Sequence, residues 1–419
     1  MKNFDAAKDV RKAVRKIVDQ TPIFDMHTHL FDPALGELLL AGIDELLHYH
    51  YCRSEMFRLR PDLPYEDYWS QTLQGKADLV WDALFVRNIP LTESARGVVT
   101  TLRRLGFKKN IRDIQAIRRF YAETSRAELV ERIFGAANIT HVVMTNDPFD
   151  DTERQAWESN PERDPRFVAA LRIDPLLVEW EETWKKLQVL GCSGVNADLA
   201  FAATLEGVRN FLESWVERIQ PLYMACSLPP SWRYPDSTPA SILLRECVLP
   251  VCRKHNMPMA LMIGVNRATN PELREAGDSL GRSDCDSLAA LVREHPGNRF
   301  LCTMLSRENQ HELTVLSRKF KNLMLFGCWW YMIVPSLMDE VTRLRLEMLG
   351  PGFIPQHSDC RVLEQLLYKW DHARQCIGGV LADQYAKVFE AGWRFNKEEL
   401  RRDIEKMFNG ALLSEFIHS

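Results

Sequence analysis

The sequence lacks three features that mark common protein classes: a long uninterrupted apolar run, a C-x-x-C pair and a Gly-x-Gly-x-x-Gly turn. Without the first, no segment has the apolar length that a membrane span needs. Without the second, the 10 cysteines, several of them inside apolar runs, indicate reduced core thiols rather than a zinc ribbon or a disulfide framework. Without the third, an open nucleotide-binding sheet is disfavoured.

An excess of charge of one sign is also absent. The chain of 419 residues has 53 Lys and Arg against 57 Asp and Glu, a net charge of −4. This balance gives no reason to expect nucleic acid or a membrane surface as a partner. The N-terminal segment carries charges of both signs and lacks the apolar core of a signal peptide, so we expect a cytoplasmic protein.

The sequence does contain a series of short apolar runs, each followed by turn residues and then a helical pattern. They are apolar at successive positions, as in strands of a parallel sheet that is covered on both faces. Eight such runs predict an α/β fold, a (β/α)8 TIM barrel. The runs are 22–30, 140–147, 166–174, 222–229, 259–265, 299–305, 322–330 and 352–359, with a weaker ninth candidate at 193–199.

The segment between the first two runs is far longer than the others and has helical periodicity almost throughout. This segment contains a predicted capping box at Ser125. A second predicted capping box, at Asn396, lies near the C-terminus and begins a helix there. We therefore predict a first part, 1–30, a helical insertion, 31–138, and the remainder of the barrel, 139–419. Loops that follow barrel strands lie on the catalytic face, so the insertion is expected to wall the site.

A candidate metal site combines the first and last runs. Residues i and i+2 of a strand share a face, so His27 and His29 point the same way at the end of the first strand. A divalent ion needs a further ligand, and Asp359, at the end of the eighth run, is the candidate for that ligand, for a general base, or for both. These ligands suit Zn²⁺, our first choice, as well as Mn²⁺, Fe²⁺ or Co²⁺. The alternative is a polar strand end with Asp359 as a helix N-cap.

The stretch "IDELLHYHY" has the spacing of a helix whose apolar face begins at Ile43. A single helix would turn His50 and Tyr51 inward, while His48 and Tyr49 would point away. Tyr51 is then either a buried tyrosine with a backbone partner or a group that reaches the site and relays a proton.

Two arginines at strand ends are candidate substrate ligands. Arg172 ends the third run, where its planar fork of donors suits a carboxylate or a polyol. The alternative for Arg172 is an ion pair with Asp174. Arg361 follows the eighth run, and it too is either a substrate ligand or a partner in an ion pair.

Aromatic residues at the end of the seventh run could form the floor of a sugar site. Trp329 and Trp330 are adjacent in a predicted strand, so only one of them is expected to line the site and the other to pack in the core. A weaker candidate pair is Arg307 and His311, which are four residues apart at the start of a helix and share a face.

Longer phrases carry a resemblance over essentially the whole chain. They are "DMHTHLF", "IDELLHYHY", "VVMTNDPFDD", "MLSRENQHEL", "FGCWW" and "FIPQHSDCRVLEQLLYKW". Together they resemble the uronate isomerase (glucuronate isomerase) family of the amidohydrolase superfamily. The likeness is to a divergent branch, because the commoner members carry a histidine in the fifth strand, where this chain has Met262. The resemblance implies a distorted amidohydrolase-type (β/α)8 barrel with one metal, held by His27, His29 and Asp359.

The resemblance also implies an activity. D-glucuronate and D-galacturonate, as open-chain aldehydes, would become D-fructuronate and D-tagaturonate. With the C6 carboxylate and the C5 hydroxyl on the metal, Asp359 would move a proton from C2 to C1 through a cis-enediol. Tyr51 would shuttle a proton between O1 and O2, and Arg361 would bind the C2 and C3 hydroxyls. Arg172 and His50 would add substrate contacts. The expected partner is this small-molecule hexuronate, and we expect a homo-oligomer.

Two other functions fit parts of the sequence. A hydrolase of the same superfamily, acting on a sugar lactone or amide, would favour further histidines in strands five and six or a bridging carboxylate, and the sequence shows none there. A non-enzymatic sugar-acid-binding protein would keep the pocket without turnover. The combination of Asp359, Tyr51 and Arg361 argues against that second alternative.

Overall fold

The structure is a computed structural model that describes residues 4–108, 111–159 and 161–418. The other residues, 1–3, 109–110, 160 and 419, belong to the three predicted segments and lie outside the described residues. Within the described ranges the strands are β1 (Ile23–Thr28), β2 (Ile139–Asn146), β3 (Phe167–Arg172), β4 (Met224–Leu228), β5 (Met259–Ile263), β6 (Val265–Asn266), β7 (Ser279–Leu280), β8 (Phe300–Met304) and β9 (Leu323–Leu325).

Helices surround these strands. Before β1 lies α1 (Ala7–Gln20), and between β1 and β2 lie α2 (Ile43–His48), α3 (His50–Leu59), α4 (Tyr65–Trp69), α5 (Leu73–Trp81), α6 (Glu93–Arg104), α7 (Ile114–Glu123) and α8 (Arg126–Ala137). Between β2 and β9 lie α9 (Asp151–Glu158), α10 (Asp174–Val178), α11 (Trp180–Val189), α12 (Ala202–Ile219), α13 (Pro239–Leu243), α14 (Leu249–Lys254), α15 (Cys285–Glu294) and α16 (Gln310–Lys319). After β9 follow α17 (Pro335–Leu349), α18 (Gln365–Glu390), α19 (Lys397–Phe408) and α20 (Ala411–His418).

Seven strands form one parallel sheet in the order β1-β2-β3-β4-β5-β8-β9. Every residue of β5 and of β8 is buried, because the sheet is enclosed on both faces. The remaining two described strands, β6 and β7, form an antiparallel hairpin that directly follows β5. The predicted α/β class and seven of the eight predicted strand positions are thus confirmed.

The eighth predicted strand does not form. Residues 352–359 are irregular apart from one bridge, between Phe326 and Ile354. Two prolines, at 351 and 355, remove ladder donors there, and Asp359 has a left-handed φ of +52° that a strand cannot contain. Backbone hydrogen bonds nevertheless tie this segment to both edges of the sheet, among them Ile354 N to Leu325 O at 3.0 Å and Asp359 N to His27 O at 2.9 Å. The sheet is therefore curled, and an irregular segment joins its two edges.

The weaker ninth strand candidate, 193–199, is also wrong, because this stretch consists of turns. Gly194 has a φ of +90°, outside the extended region. The side chain of Asn196 accepts a hydrogen bond from the backbone N–H of Asp198 (2.7 Å), and the side chain of Asp198 accepts one from the backbone N–H of Ala200 (2.9 Å). Such local bonds replace the ladder bonds of a strand.

The two helix starts predicted from capping residues, at Ser125 and Asn396, are present in the structure. Asn396 and Glu399 form the complete reciprocal capping box at the start of α19. Ser125 accepts a hydrogen bond from the backbone of Glu128 at the start of α8, at 3.2 Å. Helices α2 to α8 occupy the predicted insertion, whose standing as a separate segment stays a prediction. None of the described helices combines the length and the apolar character that crossing a bilayer requires.

Candidate active site

Three predicted ligands meet at the end of β1. The Nε2 atom of His27 lies 3.5 Å from Oδ1 of Asp359, and the Nε2 atom of His29 lies 3.3 Å from the same oxygen. Ligand atoms of the three residues are all within 4.8 Å of one another. His27 and Asp359 are buried, at 2% and 5% exposure, and His29 is partly exposed. The predicted alternation along β1 and the curl of the sheet together produce this group.

Two hydroxyl groups determine which imidazole nitrogens carry hydrogen. The hydroxyl of Tyr223 donates to the carbonyl oxygen of the residue before His27 (2.7 Å), so its oxygen accepts from Nδ1 of His27 at 3.3 Å. The hydroxyl of Thr145 donates to the carbonyl oxygen of the residue before His29 (3.0 Å) and accepts from Nδ1 of His29 at 2.8 Å. Both Nε2 atoms therefore present lone pairs towards the carboxylate of Asp359.

This arrangement of acceptors fits a divalent cation. Burial lowers the pKa of His29 to about 4, so this imidazole is neutral at neutral pH. Nε2 of His27 is buried without a hydrogen-bond partner among the described residues. Two imidazole lone pairs and a carboxylate that face one another repel unless a cation lies between them, and they are the donor types that zinc and similar ions bind.

The segment that carries Asp359 is held by groups that sequence reasoning missed. Asp25, fully buried in β1, accepts hydrogen bonds from the backbone of Ser358 (2.9 Å) and from the indole of Trp370 (2.7 Å). Its burial raises the pKa of its carboxyl. The amine of Lys369 donates to the carbonyl oxygens of Ser358 and Asp359. A charged residue inside an apolar run was the available signal for Asp25.

The group lies in a cavity of about 650 Å³, called the catalytic cavity below. Its lining comes from the carboxyl ends of the strands, from the helices after β1 and from the β6–β7 hairpin. The residues are His27, His29, Leu40, Glu45, His48, Tyr49, His50, Arg53, Leu73, Arg172, Ser227, Met262, Arg267, Glu275, Asp278, Trp329, Trp330, Asp359 and Arg361. Sequence reasoning missed the hairpin residues, although their place after the fifth strand was a signal that they would lie at this end of the sheet.

Arginines in the cavity fall into two kinds. Three of them pair with carboxylates: Arg53 with Glu275 (3.0 Å), Arg172 with Asp174 (2.5 Å) and Arg267 with Asp278 (2.6 Å). Arg172 thus lines the cavity and also forms the ion pair that was its alternative interpretation. Arg361 has no carboxylate at ion-pair distance within the described ranges; it donates to the carbonyl oxygen of His29 (3.1 Å) and lies over the ring of Phe31 at 5.2 Å.

The helix predicted through "IDELLHYHY" is broken, which changes where its side chains point. Tyr49 is extended, with φ −54° and ψ 145°, between the end of α2 and the start of α3. As a result His48 and Tyr49 line the catalytic cavity, contrary to the single-helix prediction. Tyr51 instead lines a neighbouring cavity of about 240 Å³, called the side cavity. His50 and Trp330 line both cavities, and their rings stack at 5.2 Å.

Both tryptophans line the catalytic cavity, so the prediction that only one would do so is wrong. The reason is that β9 ends at Leu325, well before the pair, and strand alternation no longer applies. Trp330 has a φ of +45° and opens a short 3-10 turn, which rotates its side chain relative to that of Trp329.

Arg307 and His311 do not reach the cavity. Arg307 begins a short 3-10 turn, and its guanidinium pairs with Glu340 at 3.0 Å. The side chain of Arg307 is 57% exposed, and His311 is exposed on α16. A carboxylate on α17 therefore holds this arginine at the outer surface.

Three of the solved crystal structures that resemble this chain are isomerases of uronates. A uronate isomerase from Bacillus halodurans C-125 is 46% identical, with a TM-score of 0.96, over 99% of this chain and 97% of that one. A uronate isomerase from Thermotoga maritima is 16% identical (TM-score 0.77, 97% of each chain), and a glucuronate isomerase from Caulobacter crescentus is 16% identical (TM-score 0.76, 98% of this chain and 94% of that one). No protein-family model and no curated protein sequence matches the chain.

Proposed function

Because the chain belongs to the uronate isomerase family, we propose that it interconverts the aldose and ketose forms of hexuronates, D-glucuronate with D-fructuronate and D-galacturonate with D-tagaturonate. The observation that carries this proposal for the site is the convergence of two imidazole lone pairs and the Asp359 carboxylate in a cavity that also holds Arg361, which has no carboxylate partner among the described residues. A sugar acid brings a carboxylate and several hydroxyls, which suit a cation and a guanidinium.

We propose that His27, His29 and Asp359 hold one divalent ion, with Zn²⁺ as the first candidate and Mn²⁺, Fe²⁺ or Co²⁺ as alternatives. Such an ion supplies Lewis-acid stabilisation of negative charge on substrate oxygens. Met262 lines the cavity from the end of β5, so the described protein offers no imidazole at that position. The site thus depends on one strand and one irregular segment for its ligands.

Proton transfer is assigned to Asp359. Its Oδ1 faces both imidazoles, which leaves Oδ2 to remove the proton from C2 and return it to C1. The C2–H bond breaks, and a double bond forms between C1 and C2. When the new C1–H bond forms, this double bond is lost and the carbonyl group is then at C2. The negative charge that develops on O1 and O2 lies among donors that are already in place, among them Arg361.

The remaining steps concern the two hydroxyl protons. Tyr51 is the proposed carrier of a proton between O1 and O2, and this role stays a prediction because Tyr51 lies in the side cavity, beyond His50 and Trp330. Burial, together with the nearby carboxylate of Asp359, raises the pKa of the Tyr51 hydroxyl well above its ordinary value. Tyr51 would therefore act as a protonated donor at neutral pH.

Incubation with D-glucuronate in D2O tests the reaction. We expect NMR to show the ketose product, with deuterium at C1 where the base exchanges its proton with solvent. A shielded base would return the same proton, so ketose without deuterium still supports isomerisation. Failure to convert either uronate, together with cleavage of a sugar lactone or amide, would establish the hydrolase alternative instead.

Replacing Arg361 by methionine is expected to lower kcat/KM for D-glucuronate by roughly 10- to 100-fold, the usual worth of a hydrogen bond to a charged group. The physical reason is that this guanidinium has no carboxylate partner among the described residues, so its donors other than the one bound to the carbonyl oxygen of His29 are available to the substrate. Arg267→Met is the matched control: that side chain also lines the cavity but is paired with Asp278 and is 59% exposed. Equal losses in the two variants would contradict a specific role for Arg361.

A further inference from the structure

Lys369 is a buried cation that the proposed reaction does not use. It lies in the second turn of α18 and is 3% exposed. Its amine donates to the carbonyl oxygen of Ser358 (2.8 Å) and to that of Asp359 (3.1 Å), and it lies 5.0 Å from the centre of the Tyr51 ring. No carboxylate lies at ion-pair distance from it within the part of the chain that the structure describes. A buried charge without a carboxylate partner is costly, so its contacts call for an explanation.

The two carbonyl groups that Lys369 binds flank the α-carbon of Asp359. Their orientations are set by the φ and ψ angles of Asp359, and its φ of +52° lies in the left-handed region that residues other than glycine seldom adopt. A backbone conformation of this kind persists only when its surroundings over-determine it. The bond from Asp359 N to His27 O (2.9 Å) and the bond from Ser358 N to Asp25 (2.9 Å) restrain the same segment from its other side.

We propose that Lys369 is a positioning residue, whose single ammonium group binds both carbonyls around Asp359 and so directs the Asp359 carboxylate at the two imidazoles. The proposal rests on the proposed function for the reaction that it serves, but the cation affinity of the site tests it separately. Removing the amine frees two buried carbonyls and lets Asp359 relax towards a right-handed or extended backbone. The carboxylate would then leave the place where His27 and His29 meet it.

Two effects of Lys369 on a bound cation have opposite signs, and this makes the proposal testable. As a positive charge near the site, the ammonium group repels the metal ion, so its loss should tighten metal binding. As a positioning group, it holds one of three ligands in place, so its loss should weaken metal binding. The direction of the change in Co²⁺ affinity therefore separates the two roles without any assay of turnover.

The experiment titrates metal-free, full-length protein with Co²⁺ and follows the visible absorption bands of the bound ion. For Lys369→Ala we expect Co²⁺ binding to weaken by roughly 10- to 100-fold, with altered bands, as is typical when a group that orients a ligand is lost. In the metal-loaded Lys369→Ala protein, kcat should fall by a similar factor relative to metal-loaded wild type, and KM should change by less than about threefold. Lys387→Ala, an exposed lysine on the same helix, is the control and should match wild type.

Ammonium rescue completes the test. Ethylammonium, which can enter the space left in Lys369→Ala from the side cavity, should restore Co²⁺ affinity and kcat in part, whereas ethanol should not. Unchanged or tighter Co²⁺ binding would overturn the proposal. So would a variant that stays unfolded by circular dichroism even with ethylammonium, because Lys369 would then support the fold in general. If wild type converts no uronate, the proposed function fails while the Co²⁺ titration still decides the role of Lys369.

Discussion

Asp359→Asn is expected to lower kcat for hexuronate isomerisation by about 10²- to 10⁴-fold while the protein stays folded. Asparagine has the shape of aspartate but neither the charge of a metal ligand nor the basicity that proton transfer between C2 and C1 needs. The fold should survive because asparagine tolerates a φ of +52° better than most residues. The backbone bonds of this residue to His27 and Lys369 also do not involve its side chain.

Steady-state kinetics with D-glucuronate, together with thermal unfolding of both proteins, measure this effect. Asp278→Asn is a suitable control, because Asp278 also lines the catalytic cavity but is paired with Arg267 at 2.6 Å. We expect that control to lose less than about tenfold, because its arginine partner is 59% exposed and asparagine can still accept the hydrogen bond from the backbone of Ala268. Wild-type rates in Asp359→Asn would remove this carboxylate from the mechanism.

Removal of bound metal is expected to lower turnover by roughly a thousandfold or more, since Lewis-acid stabilisation is worth several kcal/mol in the transition state. The lone pairs of His27 and His29 and the carboxylate of Asp359 converge within 4.8 Å, and among the described residues no lysine or arginine forms an ion pair with that carboxylate. Activity and metal content are measured after treatment with a chelator, and again after one equivalent of Zn²⁺, Mn²⁺, Fe²⁺ or Co²⁺ is added.

The matched variant for this experiment is His27→Ala combined with His29→Ala. It should bind little metal, and added ions should not restore its activity, because two of the three ligands are gone. Wild-type protein that is free of metal and still converts D-glucuronate at its full rate would contradict a metal-dependent mechanism. The ion that restores the highest activity would identify the preferred metal.

Local patterns in the sequence predicted the parts of the fold that depend on near neighbours. Seven strands lie in predicted apolar runs, because burial on both faces leaves a continuous apolar stretch of a characteristic length. The reciprocal box at Asn396 formed because its two hydrogen bonds link residues only three apart. Alternation along β1 placed His27 and His29 on one face, since it needs no information beyond the strand itself.

The errors have a different physical origin. The eighth strand failed because proline and the left-handed backbone at Asp359 are incompatible with a ladder. The helix through Tyr49 failed because a periodic pattern does not reveal a single extended residue inside it. Both tryptophans line the cavity because β9 is short and Trp330 turns, which strand periodicity could not foresee.

The sequence alone determined that His27 and His29 follow from the first strand and Asp359 from the last predicted one. It also determined that these residue types suit a divalent ion in the candidate metal site. Those features are local, and the long phrases that carry the resemblance to the uronate isomerase family are spread over most of the chain. Only the tertiary structure decided which arginine of the cavity lacks a carboxylate partner among the described residues, because a pairing such as Arg267 with Asp278 depends on how the β6–β7 hairpin lies over the cavity. It also decided how Asp25 and Lys369 hold the Asp359 segment, since those contacts join residues more than 300 apart or on a separate helix.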